Sequence, residues 1–502
     1  MRRRVLAGSI AILVAVATVV AAPQRAPATS TAEAATARRL AAIRDDPLLL
    51  RAFLREMPKG GDLHSHLSGA VYAESYLRWA AEDKLCLATA TMSIVAGTCD
   101  AEAGQPPVAA VLQNPTLYNQ AIDAMSMRHW NPALNGHDHF FAAFARFGPV
   151  TARTGDMLAE ATARAAAEHV IYLELMLTPA SAAVTRLARE TGWNADLVEL
   201  RSRLLAAGFR EAVRAEASRR LDVAEVRRRE ILGCDGSQAD PGCSVTVRYI
   251  AQVGRTAAPE VVFAQILAGF ELVAADPRFV ALNLVQAEDH PTSVRDFTLH
   301  MSMLDFLHRQ YPNVRITLHA GELTSGLVPP EVLRSHVRQS VESGHAARIG
   351  HGIDLMDEDN PTALLRLLAA KKVLIETSLT SNDWILGVRG KHHPLRTYLR
   401  HGVPAAIVTD DLGVLRSSHT QEFQRAVEDQ QLDYLTLKRL ARNSLEHAFA
   451  DWATKGRLQS DLERAFVDFE RRQSAWQAPS RTTSDLHKRS AARPSEALRP
   501  TR

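Results

Sequence analysis

The stretch Gly60-Gly61-Asp62-Leu63-His64-Ser65-His66-Leu67-Ser68-Gly69 ends a short segment on two histidines spaced by one residue. In a strand, residues i and i+2 project to the same side, so both imidazoles can turn toward one metal ion. Three later segments end in a comparable way: Thr317-Leu318-His319-Ala320-Gly321-Glu322, Arg348-Ile349-Gly350-His351-Gly352 and Val408-Thr409-Asp410-Asp411. Each runs from apolar residues into imidazoles or carboxylates.

Working outward, eight segments read as buried strands: 61–66, 170–178, 244–253, 279–286, 315–319, 347–350, 373–377 and 405–409. Most are apolar runs instead of strict alternations, as parallel strands covered on both faces require. Amphipathic or alanine-rich helical patterns, such as 361–370 and 436–450, lie between them. This alternation predicts an α/β chain folded as one (β/α)8 TIM barrel with long insertions after strands one and two. All C-terminal strand ends of such a barrel open on one face, where active sites sit. His64, His66, His319, Glu322, His351, Asp410 and Asp411 are therefore expected to converge. Three neutral imidazoles and a carboxylate from this set suit Zn²⁺ with room for a water. A second pair, His137-Asp138-His139, precedes the aromatic residues Phe140, Phe141, Phe144 and Phe147 without strand context, and reads as surface or lid structure.

Arg2, Arg3 and Arg4 precede an almost unbroken apolar run over 5–22, the layout of a cleavable signal peptide over 1–22, with an uncleaved anchor as the alternative. The expected location is outside the cytoplasm, periplasmic or secreted, with no stable membrane contact after cleavage. Formal net charge is +3 for the 502 residues, and loss of the three leading arginines brings it to zero. With a basic C-terminal tail set aside, the body is slightly acidic and offers no basic face for nucleic acid. The four cysteines fall as Cys86 with Cys99 and Cys234 with Cys243, without metal-site spacing. Three connectivities are possible; the local one is expected in an exported chain, stapling the two insertions. The expected layout is a signal peptide (1–22), a flexible lead-in (23–45), one barrel domain (46–477) and a disordered basic tail (478–502).

The segments MPKGGDLHSHLSG at 57–69, LHAGE at 318–322, RIGHG at 348–352 and TDD at 409–411 resemble, in order and spacing, the motifs of adenosine deaminases. The MPKGG opening, YLEL at 172–175, the N-terminus and the long insertions resemble the secreted, growth-factor-related branch. The resemblance implies one Zn²⁺ per chain on His64, His66, His319 and Asp410, which lowers the pKa of a bound water. It implies His351 beside that water as base or electrostatic partner, and Asp411 as its orienter or as a hydrogen-bond acceptor from the purine. It implies Glu322 as the acid that protonates the ring nitrogen next to the attacked carbon. Glu376 and Asn382 match a strand-seven motif and are expected to buttress the site. Binuclear relatives bridge two metals with a lysine after strand four, and the residues there, 283–289, include none. Gln286 stands where the family offers a glycine to the purine, so its side-chain amide is expected to contact substrate. Met176, Leu379, Leu412 and Ser68 also depart from the pattern. The expected reaction is deamination of adenosine or 2′-deoxyadenosine, the partner being a small purine nucleoside. The alternatives are another amino-purine, or a secreted binding protein with a vestigial pocket.

Overall fold

Seven residues in a row, Phe279–Val285, are buried, as a strand covered on both faces requires. The computed structural model describes residues 30–131 and 135–475; the expected signal peptide and basic tail lie outside the described residues. Its main sheet has eight parallel strands in sequential order: β1 (Gly60–His66), β2 (Val170–Leu177), β3 (Thr246–Gly254), β4 (Phe279–Val285), β5 (Arg315–Ala320), β6 (Arg348–His351), β7 (Leu374–Thr377) and β8 (Ala405–Ile407). The sheet closes into a (β/α)8 barrel through one bridge, Ser65 to Asp410. There Asp410 N–H donates to His64 O (2.9 Å) and His66 N–H to Asp410 O (3.1 Å). The closing contact thus falls on three of the residues singled out above.

Helices start where their caps dictate. Asp46, Asp433 and Asp451 accept from the N–H groups of the turns they open, and proline begins the helices Pro259–Ala275, Pro291–His308 and Pro361–Lys371. The Pro259–Ala275 helix is apolar nearly all round, and Val261 through Leu272 are buried apart from Gln265. No helix among the described residues is long and apolar enough to cross a membrane.

The excursion between β1 and β2 holds the helix Gly136–Arg146 and a small antiparallel hairpin, Cys86–Ala88 with Ser93–Val95. A disulfide joins Cys86 to Cys99 there, and Cys234–Cys243 closes the loop leading into β3. The lead-in differs from expectation. Thr31–Ile43 is a helix that buries Thr36, Leu40 and Ile43 and packs on the C-terminal helix Trp452–Ser474. Lys438 Nζ ties the two, bonding Glu33 (2.5 Å) and Glu470 (2.6 Å). The folded unit therefore includes residues 31–43, because these apolar residues have a partner on a helix distant in sequence.

Candidate active site

At the C-terminal mouth of the barrel, β1 delivers His64 and His66, β5 delivers His319, and Asp410 follows β8. The His319 Nε2 lies 3.0 Å from His64 Nε2 and 3.2 Å from His66 Nε2. Asp410 Oδ1 is 3.5 Å and 3.4 Å from the same two nitrogens. All four residues belong to one group of buried potential ligands. A tetrahedral ion with bonds of about 2.05 Å separates its ligand nitrogens by about 3.3 Å, the spacing found here.

The outer contacts decide which nitrogens face the centre. His64 Nδ1 lies 2.7 Å from Glu376 Oε2, His66 Nδ1 3.0 Å from Gln252 Oε1, and His319 Nδ1 2.9 Å from Asn283 Oδ1. A backbone donor, His319 N–H, also reaches Asn283 Oδ1 (3.0 Å), which fixes that amide's orientation. Each imidazole thus carries its proton on Nδ1 and turns an Nε2 lone pair inward. Three lone pairs and a carboxylate oxygen at this separation repel unless a cation lies among them, so the donor set fits a divalent metal. Ser381 Oγ holds the other Asp410 oxygen at 2.7 Å.

Glu376 is itself held. Its Oε1 accepts from Thr317 Oγ1 (2.9 Å) and Arg348 Nε (2.6 Å), and Arg348 continues to Glu174 (2.5 Å), the acid of the YLEL stretch. All are buried in the barrel interior. Gly350 makes room for this arrangement, since a Cβ there would meet His64 Cε1 at 2.7 Å.

His351 lies beside the quartet, and its tautomer follows from a chain of bonds. Leu395 N–H donates to His393 Nδ1 (3.2 Å), which leaves His393 Nε2–H to donate to Asn382 Oδ1 (3.1 Å). The Asn382 amide then donates to His351 Nδ1 (3.0 Å), so His351 carries its proton on Nε2. Burial lowers His351 to about 4, which keeps it neutral. Its Nε2–H lies 3.7 Å from Glu322 Oε1 and is buried without a hydrogen-bond partner. In this tautomer His351 offers a hydrogen-bond donor on the Glu322 side.

Glu322 follows β5. Burial, reinforced by the charge of Asp410, pushes its carboxyl up to about 8. Sequence reasoning missed what positions it: buried Glu288 accepts from Gly321 N–H (3.2 Å), Glu322 N–H (2.9 Å) and His336 Nδ1 (2.6 Å). Arg255, fully buried, donates to the carbonyls of Gln286 (2.9 Å) and His319 (3.2 Å) and so braces two strand ends at once. Asp411 is pushed well above the usual range by burial and by Asp410 beside it, and its Oδ1 is buried without a partner. A divalent cation on Asp410 opposes the second of those causes.

These groups open into a cleft of about 520 Å³, within the range of small-molecule sites. Its far wall is Phe140, Phe141 and Phe144, on the helix Gly136–Arg146. His137 on that helix contacts Asp289 (2.9 Å) beyond β4 and His139 reaches backbone carbonyls, so neither joins the metal group. Gln286 lines the cleft, and its amide oxygen accepts from Thr256 N–H (3.2 Å) and Oγ1 (2.7 Å).

A family model described as adenosine deaminase matches residues 135–465. The chain belongs to the adenosine deaminase family. It is 33% identical over 156 residues to an adenosine deaminase of Enterococcus faecalis, a match covering 31% of this chain and 43% of that enzyme. The chain thus aligns with less than half the length of the curated relatives it matches. Solved structures with the same fold include adenine deaminase from Arthrobacter aurescens (19% identity, 82% of this chain, 99% of that one, TM-score 0.52). Others are the N6-methyl-AMP deaminase of Arabidopsis thaliana (17%, 83% and 99%, TM-score 0.52) and a zinc-bound amidohydrolase of Burkholderia ambifaria (18%, 85% and 95%, TM-score 0.51). At these identities the likeness is one of fold. Within the adenosine deaminase family frame, His64, His66, His319, Glu322, His351, Asp410 and Asp411 all stand at the barrel mouth.

Proposed function

We propose that the chain hydrolyses the C6–amino bond of a 6-aminopurine nucleoside, adenosine or 2′-deoxyadenosine, giving inosine or 2′-deoxyinosine and ammonia. The observation that carries this reading is a buried three-imidazole, one-carboxylate group beside Glu322, a carboxyl held protonated near neutral pH. His64, His66, His319 and Asp410 would hold one Zn²⁺, a choice supported by the nitrogen-rich donor set and by the zinc-bound relative of like fold. Zinc at that position supplies Lewis acidity that brings the pKa of water toward neutrality.

The chain's own groups move the protons. Glu322 protonates the ring nitrogen beside C6, so the attacked carbon gains an oxygen without charge building on the ring. Asp411, ionised once the cation that Asp410 would hold opposes its upward shift, takes a proton from the attacking water, and His351 Nε2–H donates to the oxygen. Asp411 then returns its proton to the departing amine, the C–N bond breaks, and the proton left on oxygen restores Glu322. Metal analysis with loss of the adenosine ultraviolet absorbance tests the reading; stoichiometric zinc without turnover of any aminopurine would sink it.

A second reading keeps this chemistry and changes the substrate to another amino-purine. The Gln286 side chain, committed to Thr256 where the family offers a glycine, favours it, and a substrate panel separates the two. We also infer export from the cytoplasm, supported by the charged and apolar N-terminus and the two disulfides; N-terminal sequencing of the mature chain checks it.

A further inference from the structure

The donors and acceptors of the main cleft are divided between its sides. Its carboxylates, Glu322, Asp410 and Asp411, follow β5 and β8. From β3, β4 and the segments after them come three amides, Gln252, Gln265 and Gln286, and the imidazole of His290. All three amide oxygens are already taken. His66 Nδ1–H donates to Gln252 (3.0 Å), Gly254 N–H to Gln265 (2.5 Å), and Thr256 N–H and Oγ1 to Gln286 (3.2 and 2.7 Å). A backbone N–H can only donate, so the Gln265 and Gln286 amides cannot be turned over without losing a bond. Among the described residues, none of the three amide nitrogens has a hydrogen-bond partner. Thr292 N–H donates to His290 Nδ1 (3.2 Å), which leaves Nε2–H as the group that ring can offer. These four side chains therefore present donors and no acceptor to whatever lies in the cleft.

Gln286 stands where this division meets the base. Strands β4 and β5 are neighbours, and Arg255 joins the carbonyls of Gln286 (2.9 Å) and His319 (3.2 Å). The Gln286 amide thus lies beside the strand end that carries Glu322. With the ring nitrogen N1 at Glu322, the next atoms of the six-membered ring on the β4 side are C2 and N3. N3 carries a lone pair and suits an amide N–H. An amino group on C2 would set its own N–H groups against that amide, and neither side could bond the other.

We propose that Gln286, its oxygen locked on Thr256, restricts the substrate to 6-aminopurine nucleosides without an amino group at C2. The proposal rests on the deaminase reading above, and the test keeps the two apart. Turnover of adenosine and of 2-aminoadenosine is measured for the full chain, for Gln286→Glu and for Thr256→Val. Calorimetry measures inosine and guanosine, the corresponding 6-oxo products, on the same proteins. In Gln286→Glu one carboxylate oxygen can keep the Thr256 bonds while the other offers the cleft an acceptor. The expected ratio of kcat/KM for adenosine over 2-aminoadenosine is about 10- to 100-fold in the unsubstituted chain, with inosine bound more tightly than guanosine. Gln286→Glu is expected to lower that ratio at least about 10-fold. Thr256→Val, which removes one of the two donors holding the amide, is expected to lower it by about 2- to 5-fold. Equal turnover of the two nucleosides, or a preference indifferent to Gln286→Glu, overturns the role of Gln286 and leaves the deaminase reading standing. If no aminopurine is turned over while inosine still binds more tightly than guanosine, and Gln286→Glu removes the difference, the role of Gln286 stands and the deaminase reading falls.

Discussion

His351 stands beside Glu322 as an N–H donor because residues outside the cleft lining set its tautomer. His393, Asn382 and the Leu395 N–H form that chain, and removing its middle frees the amide to turn. His393→Phe should lower kcat by about 10- to 100-fold, with zinc content and KM little changed. Equal loss of zinc would mean that His393 supports the fold and not the tautomer. Glu322 carries a different signature. Burial raises its carboxyl to about 8, so the protonated acid is present below that value and is lost as pH rises through it. The kcat profile should carry an alkaline limb at or below about 8, since a cation on Asp410 opposes part of the rise, and Glu322→Gln should abolish that limb with kcat about 10²- to 10⁴-fold lower. A wild-type profile flat through that region would remove Glu322 from the role of acid.

At the level of elements, the site depends on how strands end. Gln286, His351 and Asp410 have φ of +80°, +71° and +59°, a left-handed geometry rare outside glycine, and each follows or closes a barrel strand. The turn after β1 meets that after β8 at Gly69, where a Cβ would stand 1.5 Å from Asp411 Oδ1. Gly69→Ala should therefore displace Asp411 and cut kcat by at least about tenfold, while metal stays bound to His64, His66, His319 and Asp410. Zinc loss in step with activity would show that the whole turn had moved. The strands themselves were legible because parallel, doubly covered segments write themselves as apolar runs, and because His64, His319, His351 and Asp410 punctuate their ends. Gln252, Asn283 and Glu288 were not. A polar residue within or just past an apolar strand declares itself only when the barrel shows which ring nitrogen it faces. The Thr31–Ile43 helix was equally hidden, since its burial rests on Trp452–Ser474 at the other end of the chain.

For the molecule as a whole, the weak place is the seam between β8 and β1. Neighbouring strands elsewhere share ladders, whereas this pair meets at the Ser65–Asp410 bridge, assisted by Thr409 Oγ1 on Asp62 Oδ2 (2.5 Å). Two of the proposed ligands lie on β1, one on β5 and one just after β8, so a bound cation ties both sides of the seam to the opposite wall. Its contribution appears only in the folded state, because the four donors are dispersed along the unfolded chain. At free zinc a thousandfold above Kd, that linkage amounts to about 4 kcal/mol. Chelation should consequently lower Tm by calorimetry, and amide exchange should accelerate over 60–66 and 405–411 while β2, β3 and β4 keep their protection. Readdition of zinc should reverse both changes. A uniform rise in exchange, or none, would mean that the seam is closed by the protein alone and that the quartet serves chemistry without serving the fold.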